Sequence, residues 1–347
     1  MSKKLIVFGN GLGRALSPQH FSLENVMPEV WNSNCISDIE RGLIAGCIEG
    51  IEEGHGPTSE GQLLGAQIAQ FGHELISGIV EPDNRGKWFT ESALSYPAAV
   101  SRYVYSVAKK LNTHSEEFQS NQKLTSFLHH FIPFIFRSKS HIATLNYDTL
   151  LYDAFNKDYT VNGKAYRLCT RRYQTTSLVD GFLSSTGFKK ENFERNHTND
   201  FGYYLHLHGS PLFVDGNNGP TKLKRNDIEH HAAQNAKHII LSDGQLKGLL
   251  IGRSEVLKLY WKMLNEAIKE AHELILFGYG GADPHLNELI KDKTDTKKKY
   301  VIEWSGEKGN RKTFWEERLG PSCEVVPIVN ILNFREWDDP AMHNFPF

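Results

Sequence analysis

Two histidines that can exchange a proton near neutral pH lie in the segment 204–208. His206 and His208 alternate there with leucines, as the side chains of one face of a β-strand do. Gly209 and Pro211 then end the predicted strand. A glycine directly after His208 leaves room for a ligand at the strand end. The pattern predicts either a reactive imidazole at a sheet edge or two histidines packed in a core.

An amide and a carboxylate follow another apolar segment, 142–145. Asn146 and Asp148 come directly after it, and a helix is predicted over 150–155. Asp148 has two interpretations of equal weight. It caps this helix, or it supplies a carboxylate to a site at the strand end.

Glycine-rich turns follow two further apolar segments, 5–8 and 274–277. Glycines at the end of a strand let backbone amides approach a phosphate closely, although many tight turns are also rich in glycine. The residues of the two turns that are candidates for ligand binding are Gly9, Asn10, Gly11, Gly13, Gly278, Tyr279, Gly280 and Asp283. Pro18 and Pro28 predict that no regular helix follows the first turn.

Predicted strands alternate with helices along most of the chain. The alternation indicates an α/β fold with a Rossmann-like, doubly wound parallel sheet. Residues 325–328 are predicted as an edge strand because Pro327 lacks a backbone donor. Ligands bind beyond the carboxyl ends of the strands in such sheets, and all four stretches described above lie there.

Residues 31–136 have a helical pattern and no strand signal. The motif Ser59-Glu60-Gly61-Gln62 predicts a helix start within them. We expect an inserted helical module over 31–136, and a catalytic domain formed by 1–30 and 137–347. The polar stretch 157–201 is long for a connection, which is typical of a lid or a disordered segment.

The composition is that of an ordinary globular protein. The 347 residues carry a formal net charge of −2, so bulk charge predicts neither nucleic-acid nor membrane binding. The apolar segments are too short or too interrupted for a signal peptide or a membrane span. Four well-separated cysteines without a Cys-x-x-Cys pair argue against a zinc ribbon and favour a reducing cytoplasm.

Taken together and in this order, the four stretches resemble the sirtuin-like family. The motifs that carry the resemblance are Gly9-Asn10-Gly11, Leu145-Asn146-Tyr147-Asp148, Leu207-His208-Gly209 and Phe277-Gly278-Tyr279-Gly280. The late Gly-Tyr-x-x-x-Asp-Pro-His-Leu-Asn motif is especially similar to a bacterial branch found in antiviral defence systems. The resemblance covers roughly the first 30 residues and 139 to 304, and the helical module lies outside it.

The chain departs from protein-deacetylating sirtuins at two points. It has no four-cysteine zinc module, and Leu145 stands where those enzymes usually have glutamine. The resemblance therefore implies hydrolysis of NAD+ to nicotinamide and ADP-ribose, which would deplete NAD+ during infection. It also implies a large homo-oligomer and, in some members of the branch, a HerA-type hexameric ATPase as partner. NAD+ is then the substrate, and no metal is expected.

The resemblance also implies roles for single residues. His208 would accept a proton from water or from a ribose hydroxyl, Asn146 would position that group, and Asp148 would bind the nicotinamide amide. The first glycine turn would bind the pyrophosphate, and Gly209, Gly278, Tyr279, Gly280 and Asp283 would border the dinucleotide. His206 either supports His208 or is a packed neutral histidine.

Three other functions stay open from the sequence. A metal-dependent hydrolase could use His206, His208, Asp283 and His285 as ligands, although other carboxylates are scarce nearby. A non-catalytic sensor of NAD+ or ADP-ribose would bind without turnover and signal through the helical module. A deacetylase is the third and is disfavoured by the two departures.

Overall fold

The computed structural model describes residues 3–50, 55–156, 159–166, 178–183, 187–195, 200–228 and 236–342. Within these ranges the strands are β1 (Lys4–Phe8), β2 (His141–Thr144), β3 (Tyr159–Val161), β4 (Lys164–Tyr166), β5 (Leu178–Val179), β6 (Phe182–Leu183), β7 (Gly187–Phe188), β8 (Gly202–His206), β9 (Phe213–Gly216), β10 (Gly219–Lys222), β11 (Glu273–Phe277), β12 (Lys298–Trp304) and β13 (Cys323–Ile328).

The α-helices of the same ranges are α1 (Gly11–Leu16), α2 (Pro18–Phe21), α3 (Leu23–Trp31), α4 (Asp38–Ala45), α5 (Leu64–Ile79), α6 (Arg85–Trp88), α7 (Glu91–Glu117), α8 (Gln122–Ser138), α9 (Tyr152–Asn156), α10 (Gly244–Arg253), α11 (Glu255–Glu270), α12 (Pro284–Lys293) and α13 (Arg311–Leu319). Short 3-10 helices include Glu60–Leu63 and Ile331–Asn333.

Seven strands form one parallel sheet in the order β13-β12-β11-β1-β2-β8-β5. With helices flanking it, this sheet confirms the predicted α/β, Rossmann-like fold. β13 lies at the edge, as Pro327 predicted. The strand order changes direction between β1 and β11. The crevice at such a switch point is where doubly wound sheets bind ligands.

β1 lies in the middle of the sheet, and all five of its residues are buried. It pairs with β2 on one side and with β11 on the other. Burial on both faces favours an apolar sequence, which explains the continuous Leu-Ile-Val-Phe run after Lys4. The pairing aligns Phe8 with Thr144 and with Phe277, so the turns that follow the three strands start side by side.

An aromatic cluster attaches α8 to the centre of the sheet. The ring of Phe131 lies 5.2 Å from that of Phe8, and the ring of Phe127 lies 5.3 Å from that of Phe277. Trp337, which follows β13 in the sequence, packs on Phe131 with the two ring centroids 4.6 Å apart. Buried aromatic pairs of this kind stabilise a fold beyond their area alone. The last helix before β2 is therefore part of the sheet's packing.

The expectation that no helix follows the first turn was wrong. α1 begins at Gly11, and its six residues are followed at once by α2. The extended backbone of Ser17 ends α1, and Pro18 occupies the first turn of α2, a position where its missing N–H costs nothing. Pro18 therefore starts a new short helix, and Pro28 is accommodated inside α3.

Helices α2, α3, α4 and α5 pack against α7. The Tyr103 hydroxyl donates to the carbonyl of Met27 in α3 at 3.0 Å, and the Tyr96 hydroxyl donates to that of Ala66 in α5 at 3.0 Å. Arg102 of α7 forms an ion pair with Glu40 of α4. The division into a catalytic domain and a helical module over 31–136 remains a prediction.

Part of the long stretch 157–201 lies outside the described residues, so its predicted role as a lid stays open. The described parts form β3 to β7 and a short helical turn, Lys190–Phe193. No helix in the described ranges is long and apolar enough to cross a lipid bilayer.

Candidate active site

A cleft of about 780 Å³ opens at the carboxyl ends of the central strands, where the sheet reverses. Every predicted site residue except Gly13 and Gly209 lines it. Those that do are Gly9, Asn10, Gly11, Asn146, Asp148, His208, Gly278, Tyr279, Gly280 and Asp283. The structure thus brings together residues from four separate stretches of the chain, as the parallel-sheet argument predicts.

The two glycine turns contact each other directly. The amides of Gly9 and Gly11 donate to the carbonyls of Phe277 and Gly278, at 3.0 and 2.8 Å. A Cβ on Gly9 would lie 2.6 Å from the Cα of Tyr279, so a larger residue cannot be accommodated. These two amides are therefore occupied within the protein, and the glycines allow the turns to touch.

The two predicted residues outside the cleft, Gly13 and Gly209, lie where a side chain would clash with a neighbouring residue. A Cβ on Gly13 would lie 2.8 Å from the side chain of Phe21, inside the contact between α1 and α2. Gly209 has a φ of +81°, and a Cβ there would lie 1.6 Å from the carbonyl oxygen of His238. Gly209 turns the chain directly after His208 and so fixes the position of that imidazole.

His208 forms a buried cluster with Asp283. Its Nε2 lies 3.0 Å from Oδ2 of Asp283, and Oδ1 of the same carboxylate caps α12 by accepting from the Leu286 amide at 3.2 Å. Burial lowers the pKa of His208 below its usual value, so the imidazole is neutral near pH 7. Burial alone would raise the pKa of Asp283, but His208 and Lys247 together hold it well below its usual range.

Lys247 of α10 completes this cluster and was not predicted. Its Nζ lies 2.9 Å from Oδ2 of Asp283 and 3.4 Å from Nε2 of His208. The residue is 3% exposed, which is rare for lysine without a partner carboxylate. Nothing in the surrounding Gly-Gln-Leu-Lys-Gly sequence signals such a position.

Asn146 and Asp148 lie beside the first glycine turn. Nδ2 of Asn146 donates to the carbonyl of Gly9 at 3.1 Å, whereas its buried Oδ1 has no hydrogen-bond partner among the described residues. Asp148 accepts from the Leu150 amide at 3.1 Å, so it does support the turn before α9. Burial nevertheless raises its pKa to about 7, which is typical of a functional carboxyl group.

Glu60 reaches the cleft from the helical segment between β1 and β2. The sequence pattern gave it only a role in starting a helix, and it does stand in the 3-10 turn Glu60–Leu63. Burial raises its pKa to about 7, against the nearby charge of Lys247. The cleft therefore contains two carboxyl groups that are partly protonated at neutral pH.

Tyr279 borders the cleft, but its hydroxyl is used to hold the second turn. It donates to Oδ1 of Asn287 at 2.8 Å and accepts from the Asp283 amide at 3.0 Å. Because Asp283 is held in this way, its carboxylate has a fixed position opposite His208. Tyr279 thus stabilises the site from behind.

The far end of the cleft lies beyond β12. Glu303 accepts two hydrogen bonds from Arg311, at 2.8 and 2.6 Å, and one from the Trp315 indole at 2.9 Å. Trp304 next to it is 57% exposed and offers a flat apolar surface. The charge of Arg311 is matched by Glu303, whereas Arg14 adds positive charge along the cleft, which suits an anionic ligand.

His206 is separated from His208 by the end of β8. Its ring contacts Tyr152 at 4.7 Å and Phe213 at 5.3 Å, and burial lowers its pKa to about 3. This is the packed neutral histidine of the two interpretations. His285, the fourth ligand of the metal alternative, packs on Trp261 at 4.7 Å. The described residues contain no group of three or more His, Cys, Asp or Glu side chains placed to hold a metal ion.

The fold and the site define an α/β protein with a buried cluster of titratable side chains at the switch point of a doubly wound sheet. The model of the SIR2-like domain matches residues 140–319, which is more than half of the chain, and the chain belongs to this family. The match includes Asn146, Asp148, His208, Lys247 and Asp283, and it begins after the first glycine turn. Membership in the family is consistent with NAD-related enzyme activity. No curated protein matches the chain.

Proposed function

We propose that this protein hydrolyses NAD+ to nicotinamide and ADP-ribose. The observation that carries the proposal is the convergence of His208, Asn146 and Asp148 on one cleft beside the two joined glycine turns. This cleft lies at the point where doubly wound sheets bind dinucleotides. Family membership supports NAD+ as the ligand.

The reaction demands little acid catalysis from the protein. The bond between the ribose C1′ and the nicotinamide nitrogen breaks, and its electron pair neutralises the positive charge of the leaving pyridinium. An oxocarbenium-like centre remains, as in glycoside hydrolysis, and water adds to it. The proton of that water must be accepted, and neutral His208 is suited to accept it, which typically contributes about 10²–10⁴-fold.

The other residues bind and orient the substrate in this proposal. Asn146 would use its unpaired Oδ1 to position the water or a ribose hydroxyl. Asp148 would accept a hydrogen bond from the nicotinamide amide. The turn around Asn10, together with Arg14, would bind the pyrophosphate, and Trp304 offers a surface on which adenine can stack.

The first test is nicotinamide release from NAD+ by the full chain, with His208→Ala beside the wild type. His272→Ala is the matched control, because His272 is exposed and precedes β11 at the opposite end of the sheet. We expect release to fall at least a hundredfold in His208→Ala and to be unchanged in the control. Full release by His208→Ala would refute the mechanism. NAD+ binding without release by the wild type would favour a sensor function.

We further propose that the protein depletes NAD+ in anti-phage defence, as part of a large oligomer with a HerA-type ATPase. The resemblance of the 278–287 motif to the defence branch supports this. So does α5, where Leu75 and Ile79 lie one turn apart and are 74% and 82% exposed, as expected of a contact surface. Mass photometry of the wild type and of Leu75→Glu/Ile79→Glu, with and without a purified HerA-type ATPase, tests the assembly. An oligomer unaffected by both substitutions would exclude this surface.

A further inference from the structure

Three buried groups from three separate elements meet at His208. The imidazole follows β8, the Asp283 carboxylate precedes α12, and the Lys247 ammonium comes from the middle of α10. Asp283 and Lys247 are each 3% exposed. Their charged atoms lie 2.9 Å apart, and each is within 3.4 Å of Nε2 of His208.

A charge count separates the two protonation states of His208. With the imidazole neutral, the ammonium and the carboxylate cancel, and the buried cluster has no net charge. With the imidazole protonated, two cations share one carboxylate, and an uncompensated buried charge is costly. Asp283 and a backbone hydrogen bond with Leu145 favour the protonated ring, whereas burial and Lys247 disfavour it.

We propose that Lys247 is a positioning residue for the NAD+ cleavage proposed above: it occupies Asp283 and thereby keeps His208 neutral and able to accept a proton. The catalytic part of this inference rests on that proposed function. The electrostatic arrangement itself can be tested without substrate. The Lys247 ammonium and a protonated His208 compete for a single counter-ion, the Asp283 carboxylate. Removal of the ammonium should therefore favour the protonated form of His208.

Other titratable groups surround the cluster from the neighbouring elements. Glu60 approaches from the helical segment between β1 and β2, and Asp243 lies at the start of α10. Asp148 lines the same cleft, and the ring of Tyr147 lies 6.3 Å from the imidazole. Ionised Glu60 would also attract Lys247 and weaken its effect on His208. The experiment therefore includes Glu60→Gln as a background in which this carboxylate is absent.

The test is a pH titration of His208 by NMR in the full chain with isotope-labelled histidine, assigned by the signal that His208→Gln removes. Variants are Lys247→Met, Lys247→Gln and the charge-conserving Lys247→Arg, each also made with Glu60→Gln. Lys258→Met is the control, because Lys258 is exposed on the adjacent α11. We expect the His208 midpoint to rise by about one pH unit or more in Lys247→Met. It should stay near the wild-type value in Lys247→Arg and Lys258→Met.

An unchanged His208 midpoint in Lys247→Met overturns the inference. If that variant does not fold, Lys247→Gln decides, because its amide can still donate to Asp283 but carries no charge. A different measurement, nicotinamide release, tests the proposed function. Absence of nicotinamide release by the wild type refutes NAD+ cleavage, whereas normal release with an immobile His208 midpoint in Lys247→Met refutes only the role of Lys247.

Discussion

Nδ2 of Asn146 donates to the carbonyl of Gly9 across 137 residues of sequence, at 3.1 Å. This bond orients the amide, so Oδ1 is the atom that no described residue donates to. A buried acceptor without a donor is costly, and a ligand hydroxyl or water would satisfy it. The hydrogen bond also ties the turn after β2 to the turn after β1.

Asn146→Asp should abolish this arrangement with little change in shape. A carboxylate cannot donate to the Gly9 carbonyl, and it adds negative charge beside Asp148. We expect a loss of stability of about 1–3 kcal/mol and at least a hundredfold loss of nicotinamide release. Thermal unfolding and the release assay measure both effects.

The control for this prediction is Asn156→Asp. Asn156 also donates to a backbone carbonyl at 3.1 Å, that of Tyr152, but it is exposed at the end of α9. Equal losses in the two variants would show that the effect is general to such bonds. The losses in Asn146→Asp would then say nothing specific about the candidate active site.

Gly9→Ala should separate the two glycine turns. Its Cβ would lie 2.6 Å from the Cα of Tyr279 and 2.7 Å from the Gly278 carbonyl oxygen, and backbone atoms cannot rotate away. We expect a loss of stability of about 1–3 kcal/mol and weaker NAD+ binding. Gly280→Ala is the matched control for stability alone, since a Cβ there would meet no atom within 4 Å and its φ is not in the left-handed region. A Gly9→Ala protein as stable as Gly280→Ala would contradict the close contact.

Asp148→Asn should stabilise the protein increasingly as the pH rises. Burial raises the pKa of Asp148 to about 7, so the folded state holds a proton that the unfolded state has already lost between pH 4 and pH 7. The wild type therefore loses stability as the pH rises through this window, and asparagine does not. We expect the difference in unfolding temperature to grow between pH 5 and pH 8.

Asp153→Asn should change the stability of the protein in the opposite direction to Asp148→Asn, although the two residues lie in the same region. Asp153 forms an ion pair with Arg225, so its neutralisation leaves a partly buried cation without this partner and should destabilise the protein. An Asp148→Asn difference that does not change with pH would show that Asp148 is ionised at all these pH values.

Binding of NAD+ should release protons near neutral pH. Ionised Asp148 is a stronger acceptor for the nicotinamide amide than the protonated carboxyl group, and the substrate's positive charge also favours the ionised form. Because the pKa of Asp148 is about 7, about half a proton should be released at pH 7 and almost none at pH 9. Calorimetry in buffers of different ionisation enthalpy counts these protons. Asp148→Asn should abolish most of the release, and Glu60→Gln measures the remainder.

The framework of the fold could be predicted from the sequence because strand pattern and strand ends are local signals. The runs around Ile6, Ile142 and Ile275 are buried strands, and the parallel arrangement places the turns after them together. His206 shows where a local pattern fails. Alternation placed it on the face of His208, but β8 ends at His206 and the turn at 207–208 carries His208 into the cleft.

Lys247 and Glu60 could not be found in the same way. Their positions depend on how helices far apart in the sequence pack over the cleft, and neither stands in a motif that indicates a binding or catalytic site. Lys247 is 36 residues from Asp283 and 39 from His208. Glu60 occupies an ordinary helix-start pattern, and only the fold brings it near Lys247.

The central position of β1 has a consequence for synthesis of the protein. The ribosome makes β1 long before its neighbour β11 at 273–277, so one edge of β1 has no partner until β11 has been translated. Until then the apolar strand has an open edge suited to wrong pairing with other nascent chains. We therefore expect the sheet to be completed late and its folding to depend on chaperones that shield β1 during translation.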